Sequence, residues 1–108
     1  MSTFDQRQDA FEKKFALDEE QKFKATARRN RKLGAWVAEL TGLSGAEAEA
    51  YAKSVVAADF EEAGDDDVFR KVRADLNAKG KQSISDADIR EKMSALLSEA
   101  AAEIKAGK

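Results

Sequence analysis

Apolar side chains return along this chain at helical spacing in four blocks, each set off by glycine or by a cap-forming polar residue. The first block is the longest, and its period predicts a helix from about residue 3 to about Leu40. Its apolar stripe changes character along the way. At 100° per residue Phe4, Phe11 and Phe15 share an arc of about 40°. Leu33, Trp36, Val37 and Leu40 then form a denser face that reads as core. Between them lies DEEQKFKATARRNRK, where Phe23 is the one large apolar residue. The pattern therefore predicts a core-packed half after about Phe23 and a loosely attached half before it.

Three shorter helices follow. Thr41-Gly42 ends the first, with the glycine as a left-handed cap. Ser44 and Glu47 have the spacing of a capping box at the start of the second. That helix carries Tyr51, Val55 and Ala58, with Ala52, Val56 and Phe60 alongside, and Ala63-Gly64 is its expected stop. The run Asp65-Asp66-Asp67 suits the N-terminus of the third, where unpaired N–H groups and the helix dipole favour carboxylates. Val68, Phe69, Val72 and Leu76 are its buried face, and Gly80 ends it. The fourth has Ser85 as N-cap and Asp88 at the third helical position. Ile84 and Ile89 are spaced as a hydrophobic staple, and Ile89, Met93, Leu96, Leu97, Ala100 and Ile104 follow as one stripe. Short connections predict antiparallel neighbours. The expected fold is all-α: a small antiparallel four-helix bundle over residues 19–108 with a mobile N-terminal segment over residues 1–18.

Composition agrees with helix and narrows the chemistry. The 108 residues contain no proline, and 37% are charged against an average near ~25%. With 19 basic and 21 acidic residues the net charge is −2, without the basic excess expected of a nucleic-acid binder. Absence of cysteine and histidine excludes thiolate chemistry, the usual zinc ligands and the usual neutral-pH base. There is no phosphate loop: Asp75, not glycine, stands five residues before Gly80-Lys81. The acidic run at 65–67 lacks the calcium-loop pattern. Neither an enzyme nor a bound cofactor or metal is expected. No stretch resembles a signal peptide or a membrane span, so the chain reads as soluble and intracellular.

Two features carry interaction chemistry. Arg28, Arg29, Arg31 and Lys32 are the sharpest basic cluster. They read either as a solvated face paired with Asp18, Glu19 and Glu20, or as a contact for an acidic partner or for phosphates. The other feature is the leading aromatic stripe. Burial of three phenylalanines does not by itself offset the ordering of about fifteen residues. A helix of nearly forty residues would be about 55 Å long and would overhang its shorter neighbours. The stripe therefore extends the core or serves a partner, with self-association as a coiled coil disfavoured because the heptad lapses after Phe15.

Three strings decide the matter in favour of a partner. TFDQRQDAFEKKFALDEEQKFKATARRNRKLGAWVAE, AEAYAKSVVAADFEEAGDDDVFRKVRADL and ISDADIREKMSALLSEA together resemble the zeta subunit of the alphaproteobacterial F-type ATP synthase over nearly the whole chain. That resemblance implies a small helical inhibitor, monomeric when free. Its N-terminal segment becomes helical on entering the cleft between the alpha and beta subunits and blocks the gamma shaft in the hydrolytic direction. The implied contact residues are Thr3, Phe4, Asp5, Arg7, Phe11, Glu12, Lys13 and Phe15, with the phenylalanines as groove anchors. Gln6 and Gln8 stand where the family commonly has acidic residues, and Leu17 where it often has histidine. The implied location is cytoplasmic, held at the inner membrane through the synthase without insertion. The alternative is a regulatory bundle of the synthase that binds ATP or ADP weakly at Arg28, Arg29, Arg31 and Lys32, with inhibition reduced or lost.

Overall fold

The computed structural model describes residues 16–59 and 65–108. Among them are four helices, α1 (Glu19–Leu40), α2 (Gly45–Ala58), α3 (Asp66–Ala78) and α4 (Asp86–Lys105). The helix expected from residue 3 does not run through to Leu40. Ala16 has φ of 50° and Asp18 is extended at φ −80°, ψ 175°, so no α-helix crosses this point. A reciprocal box opens α1 instead. Gln21 N donates to Asp18 Oδ1 at 2.7 Å, and Asp18 N donates to Gln21 Oε1 at 3.1 Å. The part of the expected helix over residues 3–15 lies outside the described residues.

The helix ends follow local chemistry with three exceptions. At the end of α1 Gly42 takes φ of 80°, Leu43 N donates to Ala38 O at 2.9 Å and Gly42 N to Glu39 O at 3.3 Å. This paired pattern satisfies carbonyls that the helix cannot. Gly80 repeats it after α3, with Lys81 N donating to Leu76 O at 2.8 Å. At α4 the predicted box forms: Asp88 N donates to Ser85 Oγ at 3.0 Å and Ser85 N to Asp88 Oδ2 at 3.2 Å. The Ser44–Glu47 box does not. Ser44 is the N-cap of α2 but its side chain makes no capping bond, because Gly45 enters the helix left-handed at φ of 58°. Nor does Asp65 cap α3 with its side chain; its carboxylate is taken by another helix. α2 ends at Ala58 rather than at Ala63-Gly64, and Phe60 lies outside the described residues.

Pair numbers across the helices run in opposite directions, which fixes antiparallel packing. Arg28 and Lys32 of α1 meet Glu103 and Glu99 of α4. Asp66 and Arg73 of α3 meet Arg90 and Asp86 of α4. Leu33 and Val37, Val55, Val68, Val72 and Leu76, and Ile89, Met93 and Leu96 form the core, with contributions from all four helices. Trp36, expected in the core, packs against it from a half-buried position with the Lys92 ammonium 5.8 Å from its ring centroid. Ile84 joins the same cluster as Ile89, as a staple requires.

Gly34 is buried where α1 crosses α2. A Cβ built on it would stand 2.6 Å from Ala52 Cα, a backbone atom that cannot swing aside. In an open helix Gly→Ala gains about 1 kcal/mol. Here overpacking costs about 1–3 kcal/mol, and α1 must move off α2. Gly34→Ala is expected to lower stability despite the better helix former, by about 1 kcal/mol net in urea unfolding.

Candidate functional site

The sequence nominates two sites, and the structure bears on each differently. Thr3, Phe4, Asp5, Arg7, Phe11, Glu12, Lys13 and Phe15 lie outside the described residues. What the structure gives is the root from which they extend. Leu17 packs against the cluster formed by Ala25 of α1 with Leu97 and Ala101 of α4, as Ile104 of α4 also does. Asp18 closes the box one residue later, and Glu19 and Glu20 place negative charge in the first turn, where the dipole favours it. A left-handed alanine costs about 1 kcal/mol, so the turn at Ala16 is held by the anchored residues after it. Leu17 is here a packing residue.

The basic cluster is distributed rather than gathered. Arg29 is fully buried, and its Nη2 donates to Asp65 Oδ1 at 2.6 Å while its Nε donates to Asn30 Oδ1 at 2.7 Å. Asp65 is 3% exposed, so α1 and the start of α3 share an ion pair inside the protein. Arg28 faces α4 instead, with Nη1 donating to Glu103 Oε1 at 3.3 Å and Nη2 to the Lys108 carbonyl at 2.9 Å. Lys32 Nζ donates to Glu99 Oε1 at 2.7 Å and to Glu103 Oε2 at 3.1 Å. These hydrogen bonds hold the Lys32 ammonium above its ordinary pKa. Glu103 is held below the usual range, first by Lys32 and then by Arg28. Arg31 is exposed.

The expected pairing of this cluster with Asp18, Glu19 and Glu20 is therefore replaced. The carboxylates come from α4 and from Asp65, while Glu20 pairs with Lys24 at 3.2 Å. Of these partners only Asp65 stands out in the sequence, and there as a helix N-terminal carboxylate; Asn30, Glu99 and Glu103 do not. Glu99 and Glu103 show as an i, i+4 acidic pair on a polar face, but their choice of partner is a tertiary fact. Asp65 reads locally as a carboxylate at a helix start, and its pairing with Arg29, 36 residues away, is again a tertiary fact. Among the described residues no group of three or more carboxylates is placed to hold a metal ion. None of the described helices is long and apolar enough to cross a membrane.

The protein is thus an all-α bundle in which Arg28, Arg29 and Lys32 are turned to its own carboxylates. The family model of ATPase inhibitor subunit zeta matches residues 1–103, and the chain belongs to that family. A protein solved by solution NMR is 50% identical and superimposes with a TM-score of 0.69, over 80% of this chain and 96% of that one. No curated protein matches the sequence.

Proposed function

We propose that this protein inhibits ATP hydrolysis by the F-type ATP synthase, with residues 1–18 as the inhibitory segment, rooted on the bundle at Leu17 and Asp18, and residues 19–108 as the bundle that carries it. The segment enters at the interface of the alpha, beta and gamma subunits as a helix, and the bundle stays outside. Phe4, Phe11 and Phe15 are the anchors, while Asp5, Arg7, Glu12 and Lys13 meet the polar walls. The observation that carries this reading is the family match, which begins at residue 1 and so includes the aromatic segment. The capped start at Asp18 supports it, since the bundle begins with its own terminus there. Nucleotide binding at Arg28, Arg29, Arg31 and Lys32 is the weaker reading. Phosphates there would have to displace Asp65, Glu99 and Glu103 from three of the four cations.

The test is a hydrolysis assay on the cognate catalytic head. Each of Phe4→Ala, Phe11→Ala and Phe15→Ala is expected to weaken inhibition about tenfold or more, from about 1.5–3 kcal/mol of burial per ring. Unchanged inhibition by the triple variant would remove the aromatic segment from the mechanism.

A further inference from the structure

The bend at Ala16, Leu17 and Asp18 falls in a stretch that contains nothing to compel one. Phe15-Ala16-Leu17-Asp18-Glu19 has neither glycine nor proline, and alanine and leucine are among the strongest helix formers. Yet Ala16 is left-handed, a conformation its Cβ disfavours, and Asp18 is extended. Two contacts favour the bend. Leu17 is half-buried against the cluster of Ala25, Leu97 and Ala101, and Asp18 and Gln21 exchange capping bonds.

A straight chain would lose both. If α1 continued through Leu17, Ala25 would lie about 12 Å further along the axis, beyond the reach of a leucine side chain. Leu97 and Ala101 flank Glu99, which pairs with Lys32, and would lie further still. Straightening instead completes the start of α1 from its own backbone. Gln21 N passes from Asp18 Oδ1 to the Leu17 carbonyl, and the N–H groups of Glu19 and Glu20 gain the carbonyls of Phe15 and Ala16. The seat of Leu17 and a continuous helix therefore exclude each other, and neither state is without compensation.

An anchor must stand clear of the bundle before a partner can enclose it. Phe15 is two residues from Leu17, at most about 7 Å of chain. While Leu17 is seated, Phe15 is held near the wall of α1 and α4, with less room than the ~10 Å thickness of one helix. The Arg28–Glu103 pair puts the end of α4, at Lys105, level with the second turn of α1. On a straight helix Phe15 would stand about 15 Å beyond Ala25, past that end.

We propose that this junction is a latch, closed in the free protein and opened when the leading segment engages its partner. On engagement the Asp18–Gln21 box opens, Leu17 leaves its seat and α1 continues through Ala16 as one helix with the segment. This rests on the inhibitory reading and adds its regulation: the seat of Leu17 holds the protein in the form that does not inhibit.

The test is a hydrolysis titration on the cognate catalytic head with the full chain, Leu17→Ala and Ala16→Gly. Neither residue is among the assigned contacts. Leu17→Ala empties the seat and keeps a strong helix former, so it should inhibit more tightly, by about threefold to tenfold as the closed population is released. Ala16→Gly relieves the left-handed turn and is the poorer helix former, so inhibition should weaken about fivefold. Hydrogen exchange on the unaltered chain, free and bound, gives a measure that needs no variant to fold. The Glu19 and Glu20 amides should become slow on binding as they gain partners.

Leu17→Ala that folds but inhibits no better than its parent would overturn the latch, as would unchanged exchange at Glu19 and Glu20 in the complex. In both cases the inhibitory reading survives. A parent chain that does not inhibit removes that reading, and the latch with it.

Discussion

A chain lacking residues 1–15 is expected to lose inhibition of ATP hydrolysis while unfolding within a few degrees of the full chain. The two halves of this result rest on different structure. Inhibition is assigned to Phe4, Phe11 and Phe15, all of which are removed. The bundle keeps Leu17 in its cluster with Ala25, Leu97 and Ala101, the Asp18–Gln21 box, and the core around Leu33, Val72 and Met93. Loss of the cap alone would cost about 1 kcal/mol, so the truncation must stop short of Leu17. The measurement is a hydrolysis titration beside a thermal melt of the same preparation. A truncated chain that inhibits as well as its parent would remove the leading segment from the mechanism. One that no longer folds would place the segment in the core.

Asp65→Ala is expected to be the most damaging single change to the fold. It strands the Arg29 guanidinium, fully buried and already with Nη1 unpaired, without its 2.6 Å partner. Breaking a buried pair in this way costs about 3–5 kcal/mol, a large share of the ~5–15 kcal/mol that holds a small domain together. At about 4–8 °C per kcal/mol the midpoint should fall by about 12 °C or more. Replacing both partners, Arg29→Met with Asp65→Leu, should cost far less, because no lone charge is left inside. If the single and double variants are equally destabilised, the pair is not the cause. By contrast the Lys32–Glu99 bridge, with its carboxylate 54% exposed, should matter little.

What could be read from the sequence follows the range of each interaction. The Ser85–Asp88 box and the glycine stops at 42 and 80 involve neighbours a few residues apart, and the structure has them. The Asp18–Gln21 box is equally local, yet the helical period runs across it. Phe15 and Phe23 stand on either side of it at helical spacing, and the period masked the cap. Ser44–Glu47 shows the reverse error, since a correct spacing fails once Gly45 turns left-handed. The Arg29–Asp65 pair joins residues 36 apart and owes its existence to the docking of α3 on α1. The i, i+4 spacing puts Arg29 on the face of Ala25, Leu33 and Val37, and Arg31, two positions on, is exposed; that this buried face would hold a charge is what the sequence does not show.

The seat of Leu17 between α1 and α4 has a mechanical corollary. Tension on the leading segment arrives first at Leu17, lodged against Ala25 on one rod and Leu97 and Ala101 on the other. The pull must therefore draw Leu17 out from between two helices before it reaches the first turn of α1.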